Sequence, residues 1–232
     1  MRVTEVQERS HTATPLNPSR GQQFTHVLFE RFARIVCRVW CPVHVVGRNN
    51  LPNAPFLICA NHASHLDCIA LMIASGQPFG RFATMAAEDY FFGNKLRRFG
   101  FKYLLNLISI DRLATPSSIH KALSNCTQFL KPGNRNLILF PEGTRSATGE
   151  IDRFKPASAL FPMRLGLPIV PVFIGGTGRV LPKGRFFPKR GSIEVRIGKP
   201  LLPAQGDDCS MEEARNRILA MRERVIREHL YE

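Results

Sequence analysis

The chain has 232 residues, and at roughly 150 residues per domain that is one large domain or one domain with an appendage. With 44% hydrophobic and 22% charged residues the composition is that of a globular protein able to bury about 70% of its unfolded surface, so neither a disordered chain nor a disulfide scaffold is expected. The formal net charge of +14 favours anionic partners: nucleic acid, phospholipid headgroups or phosphorylated small molecules.

Residues 1–21 are polar, include Pro15 and Pro18 and lack an apolar signal-like run. They are expected to form a flexible leader rather than a secretory signal, which places the chain inside the cell. From Phe24 to Trp40, Phe24, Val27, Leu28, Phe32, Ile35, Val36 and Val39 recur at three- and four-residue spacing, with Arg31, Arg34 and Arg38 on another face. This pattern predicts an amphipathic helix, either docked on the core with a solvated arginine face or lying on an anionic membrane surface. Arg38 and Pro42 interrupt the longest apolar stretch, Phe32 to Gly47, well short of the roughly 18 residues a spanning helix needs.

After Pro52 the pattern changes to short apolar runs, Phe56–Ala60, Leu137–Phe140 and Ile169–Ile174, which predict buried strands. Helices are predicted between them, at about Asp67–Ser75, Lys95–Leu105 and Ser117–Leu130, the last capped by Thr115-Pro116 or Ser117. Strands alternating with helices predict an α/β fold with a mostly parallel central sheet flanked by helices. Ile193–Ile197 alternates as a half-exposed strand does, and a final helix is predicted from about Met211 to Leu230. Segment 176–200 is strongly basic, through Arg179, Lys183, Arg185, Lys189, Arg190, Arg196 and Lys199. The 6 cysteines form no C-x-x-C pair and read as small buried thiols rather than a zinc site.

Two segments carry chemistry. Asn61-His62-Ala63-Ser64-His65-Leu66-Asp67 follows a predicted strand, where α/β folds place catalytic groups. Asp67 lies within reach of His62 Nδ1 across the strand-to-helix turn, which would leave Nε2 as a general base; the same spacing also fits a structural hydrogen bond or a helix cap. Phe140-Pro141-Glu142-Gly143-Thr144-Arg145-Ser146 follows the next predicted strand. Its glycine permits close backbone approach, its hydroxyls can bond a ligand, and Arg145 offers a fork that matches phosphate oxygens. Glu142 would repel a phosphate there, and so fits either a ligand hydroxyl or a salt bridge that orients Arg145.

Together and in this order, the two segments resemble the glycerolipid acyltransferase family typified by lysophosphatidate acyltransferases. Asn61-His62-x-Ser64-x-x-Asp67 resembles the family's first block and Phe140–Ser146 its third, while Ile110-Asp111-Arg112 and Ile169-Val170-Pro171-Val172 resemble the second and fourth. The resemblance spans about residues 50–200 and implies a single acyltransferase domain over 22–232 with an N-terminal amphipathic helix. It implies transfer of a fatty acyl group from an acyl thioester, coenzyme A or acyl carrier protein, to the hydroxyl of a lysophospholipid-type acceptor, with 1-acylglycerol-3-phosphate foremost. By the same resemblance His62 is the general base and Asp67 its orienting partner. Asn61, Ser64, Glu142, Gly143, Thr144, Arg145, Arg112, Lys155 and Pro171 would serve substrate binding, with Arg145, Arg112 and Lys155 as phosphate ligands.

No metal or cofactor is implied, because the base creates the nucleophile and thiolate is a good leaving group. The chain departs from the family pattern at Asn106, Ser109 and Ala157, which leaves room for a different acceptor headgroup. The basic helix and the 176–200 segment imply a cytoplasmic protein held peripherally on the inner face of an anionic membrane. Three other readings fit parts of the sequence. A metal-dependent hydrolase would use His62, His65 and Asp67 as ligands. A nucleic-acid-binding module would use the net charge, although no recognition motif accompanies it. A lipid-binding relative would keep the fold without turnover.

Overall fold

The computed structural model describes residues 20–53, 55–87, 105–111, 115–182, 184–185, 187–202 and 209–230. Helix α1 (Arg20–Trp40) leads into strand β1 (Val43–Val46), followed by β2 (Leu57–Ala60), α2 (Leu66–Ser75), β3 (Phe82–Ala87) and β4 (Leu107–Ile110). The chain continues with α3 (Pro116–Leu130), β5 (Asn136–Leu139), α4 (Leu160–Leu165), β6 (Ile169–Gly175), α5 (Thr177–Val180), β7 (Ile193–Ile197) and α6 (Cys209–Leu230). Thr115 caps α3 as its sequence predicts, its hydroxyl accepting the Ser118 N–H, with Pro116 at the first helical position. The predicted helix Lys95–Leu105 lies, but for its last residue, outside the described residues.

The strands form one seven-stranded sheet in the order β1-β7-β6-β2-β5-β3-β4. Every neighbouring pair is parallel except β6 and β7, so the expected mostly parallel α/β fold is what the chain adopts. The central strands are apolar on both faces because both are covered. Ile58, Ala60, Val170 and Val172 face a cluster completed by α1 and α2 residues such as Cys37, Leu71 and Met72. Leu57, Cys59, Ile169 and Phe173 face a second cluster with Cys126 and Phe129 of α3, Phe161 of α4 and Ile218 of α6. Five cysteines, Cys37, Cys41, Cys59, Cys68 and Cys126, are free and buried, as expected for thiols used as small apolar groups.

Strands β1, β3 and β4 were not among the strands predicted from sequence. β3 reads Phe-Ala-Thr-Met-Ala-Ala, a composition with little intrinsic strand preference that is held extended by pairing with β4 and β5. Helix α1 is docked on the core by one narrow face, and its larger apolar residues lie outside that contact. Its core side is Ala33 and Cys37 with Phe29 packed beside them, whereas Phe24, Leu28, Phe32, Ile35 and Val39 are 59–72% exposed. Arg34 is not a solvated member of a basic face: it pairs with Glu30 and donates to the Gln77 carbonyl, while Glu30 also accepts the Phe79 N–H.

The end of β2 is fastened to β6 by a side chain. Asn61, 5% exposed, donates through Nδ2 to the Ile174 carbonyl at 2.9 Å and accepts the Ile174 N–H on Oδ1 at 2.8 Å. A side-chain amide here acts as one more rung of the ladder where the β2 backbone turns away, and its loss would strand both backbone groups. Asn61→Ala is expected to lower stability by about 2–3 kcal/mol, read as a shift in the urea unfolding midpoint at constant slope.

Candidate active site

Strands β2 and β5 are adjacent, with Cys59 opposite Leu139, so the segments that leave their C-terminal ends meet although they lie far apart in sequence. This is the edge of a parallel sheet where ligands bind in open α/β folds. The His62 Nδ1 lies 2.8 Å from Asp67 Oδ2. Asp67 is fully buried, and the same Oδ2 accepts the N–H groups of Ala63 at 2.7 Å and Ser64 at 2.8 Å. It also sits in the first turn of α2, where the helix dipole favours an anion. An ionised carboxylate only accepts, so in the neutral imidazole this contact favours the tautomer with the proton on Nδ1 and the lone pair on Nε2. Such a nitrogen can take a proton from an O–H presented to it.

Segment 140–146 grips the same histidine. The Phe140 ring stacks on the imidazole with centroids 4.1 Å apart and planes at 16°. Glu142 Oε1 accepts the His62 N–H at 2.8 Å, and the Ser146 N–H donates to the His62 carbonyl at 2.8 Å. The other oxygen of Glu142, Oε2, accepts the Asp152 N–H at 3.0 Å. Glu142 is 4% exposed, and burial holds its carboxyl above its usual pKa, opposed by the hydrogen bonds from Asp152 and His62.

A cavity of about 370 Å³ opens beside His62. Its wall is built from apolar Met85, Ala86, Leu105, Leu107, Ile110, Leu139 and Phe161 together with polar His65, Asp111, Thr144, Arg145 and Lys155. Gly143 has φ of 69°, and a Cβ there would lie 2.7 Å from Lys155 Cε. Glycine therefore serves twice, permitting the left-handed backbone and leaving room for the lysine stem. The Lys155 N–H donates to the Pro141 carbonyl, which ties the lysine to the same loop. Cys68 also lines the cavity, but burial pushes its thiol up to about 12, so it is a protonated wall group and not a nucleophile.

The structure thus brings His62, Asp67, Gly143, Thr144, Arg145 and Lys155 together. It gives other expected binding residues different places. Asn61 is spent on β6, and the Ser64 hydroxyl donates to the Leu181 carbonyl and accepts the Leu66 N–H. Pro171 is buried within β6, opposite Cys59 and against Gly198. None of these three lines the cavity, and neither does Glu142, whose partners are backbone N–H groups rather than Arg145. Arg112 lies outside the described residues. Among the described residues no three His, Cys, Asp or Glu side chains gather where they could hold a metal ion. Sequence reasoning missed the apolar wall residues, which carry no chemical signature, and the stacking of Phe140 on the imidazole.

Residues 42–175 match the family model described as Acyltransferase. The chain belongs to the acyltransferase family. It is 30% identical over 199 residues to the 1-acyl-sn-glycerol-3-phosphate acyltransferase of Pseudomonas aeruginosa, covering 83% of this chain and 73% of that one. It is 28% identical over 213 residues to a chloroplastic 1-acyl-sn-glycerol-3-phosphate acyltransferase of Brassica napus, covering 83% of this chain and 58% of that one. The chain thus spans little more than half the length of this plant relative. Among solved structures, the acyltransferase PlsC of Thermotoga maritima superposes with a TM-score of 0.67 at 26% identity, over 90% of this chain and 84% of that one.

Burial of the Glu142 carboxyl makes stability depend on pH. The unfolded chain gives up that proton at the ordinary value of 4.5 and the folded chain only at higher pH, so stability falls as pH rises through the interval between them. Urea unfolding of wild type and Glu142→Gln between about pH 4 and pH 7 is expected to show the gap moving against wild type as pH rises. The opposite trend would mean that the two N–H bonds outweigh burial.

Proposed function

We propose that the protein transfers a fatty acyl group from an acyl thioester to the free hydroxyl of 1-acylglycerol-3-phosphate. The observation that carries this reading is the His62–Asp67 pair at 2.8 Å, with His62 in the wall of a cavity lined both by apolar side chains and by Arg145 and Lys155. His62 Nε2 takes the proton from the acceptor hydroxyl as its oxygen attacks the thioester carbonyl. The tetrahedral intermediate collapses with cleavage of the C–S bond, and the thiolate leaves with the proton held by His62. Asp67 keeps the imidazole in the required tautomer and balances the imidazolium as it forms.

Arg145 and Lys155 hold the acceptor phosphate, with Thr144 and the Gly143 backbone beside it, and the acyl chain lies along the apolar wall residues. Neither side chain has an ion-pair partner among the described residues, which suits them to a ligand anion. The names of the relatives support the acceptor, and the chemistry calls for no metal or cofactor. The donor is coenzyme A- or acyl carrier protein-linked, both of which present phosphate to the basic surface.

Thiol release from palmitoyl-coenzyme A by the purified protein, with and without lysophosphatidate, tests the reaction. Acceptor-dependent release is expected in wild type and a loss of at least about 1,000-fold in His62→Ala. Arg145→Ala is expected to raise acceptor KM about tenfold or more with a smaller change in kcat. Release by His62→Ala at the wild-type rate would remove the proposed base.

We also propose that the protein works bound peripherally to an anionic membrane, on the cytoplasmic face where the thioester donors are held. Among the described residues no helix is long and apolar enough to cross a membrane. The support is α1, whose exposed Phe24, Leu28, Phe32, Ile35 and Val39 share the helix with exposed Arg31 and Arg38. Co-sedimentation with phosphatidylglycerol vesicles is expected to weaken in high salt and to fall at least about tenfold in a Phe32→Asp/Ile35→Asp variant. Undiminished binding by that variant would remove α1 as the contact.

A further inference from the structure

We infer that Glu142 is a positioning residue for the base, acting through the backbone of His62, and not a ligand of the acceptor. The inference rests on the proposed role of His62 and changes what segment 140–146 is for. Both oxygens of Glu142 are committed within the protein, Oε1 to the His62 N–H at 2.8 Å and Oε2 to the Asp152 N–H at 3.0 Å. The side chain is 4% exposed and does not line the cavity. Each oxygen could accept a second bond, but the carboxylate is buried and outside the cavity lining, where a substrate hydroxyl does not reach it.

Its position gives it a different task. His62 is held at four points: its N–H by Glu142, its carbonyl by the Ser146 N–H, its ring face by Phe140 and its Nδ1 by Asp67. Three of the four come from residues 140–146. Asp67 alone fixes the tautomer and one ring direction, but the imidazole still moves with the backbone that carries it. A charged acceptor on the His62 N–H holds that peptide more tightly than a neutral one. The Asp152 arm extends the hold to the loop whose return carries Lys155, itself bonded through its N–H to Pro141. One buried carboxylate therefore sets the spacing between the group that takes the proton and the group that would hold the acceptor. Geometry of this kind matters because a misplacement of about 1 Å can cost roughly 100-fold in rate.

Glu142→Gln keeps the shape but turns an NH2 group toward one of the two N–H donors. In the thiol-release assay kcat is expected to fall about 30-fold, with acceptor KM within about twofold of wild type. This is the reverse of the pattern expected for Arg145→Ala. Acceptor KM raised with kcat retained would overturn the inference and make Glu142 an acceptor ligand. Glu142→Asp, charged but too short to span both N–H groups, provides the same split should the Glu142→Gln variant fail to fold. A second readout does not depend on turnover. The imidazole Cε1–H resonance of His62 in the full chain, assigned by its absence from His62→Ala, reports stacking on Phe140. It is expected to move toward the solvent-exposed value in Glu142→Gln, and an unchanged resonance would overturn the inference. If wild type shows no acceptor-dependent release, the proposed reaction fails and the resonance decides the positioning role alone.

Discussion

The parallel pairing of β2 with β5 is the constraint on which the site depends. Because Cys59 lies opposite Leu139, the loop that carries His62 and the loop that carries Glu142 and Arg145 leave the sheet side by side. Neither loop builds a site alone. The first supplies an imidazole and the carboxylate bonded to it; the second supplies the ring that stacks on the imidazole, the acceptor for its backbone N–H and the cations of the cavity wall. Both strands are apolar on both faces and covered by helices on each side, so a slip in register would misplace the two loops together with much of the core.

Two carboxylates are buried at this edge, and their costs are met differently. Asp67 concentrates three donors on Oδ2 and leaves Oδ1 without a hydrogen-bond partner among the described residues. Its position in the first turn of α2 offsets part of the desolvation. Glu142 divides its two bonds between its two oxygens and joins segments that are not neighbours in sequence. The first arrangement orients a ring; the second fixes the distance between loops. A uniformly apolar edge would pack more cheaply, but it would leave the peptide of His62 without a fixed acceptor.

The sequence made legible those features that depend on local pattern. β2, β5 and β6 stand out as unbroken apolar runs, β7 as an alternation, and α3 by its Thr115-Pro116 start. β1, β3 and β4 do not stand out, since β3 is rich in alanine and is extended only by its neighbours. At the site, the pairing of His62 with Asp67 is visible in their spacing and in the resemblance of the motif to a known family. The destinations of Asn61, Ser64, Glu142 and Pro171 are not, because spacing along a loop says nothing about which way a short polar side chain turns. Asn61, Glu142 and Pro171 take partners across the sheet edge or within it, at positions set by β6 or by the 140–152 loop, and Ser64 bonds Leu181 just after α5 and Leu66 at the start of α2. The outward stripe of α1 was equally ambiguous: apolar periodicity marks a helix face without saying what covers it.

That helix carries a buried face and an exposed apolar face on the same few turns. Ala33 and Cys37 are buried in the sheet-facing cluster with Phe29 beside them, and Glu30 and Arg34 latch α1 to the Phe79 and Gln77 backbone, while Phe32, Ile35 and Val39 look outward. The element that meets the surroundings is thus a wall of the core, not an appendage to it. Cutting it away to obtain a more tractable fragment would open the hydrophobic interior. Any change to the outer stripe has to be made residue by residue, with the inner stripe left intact.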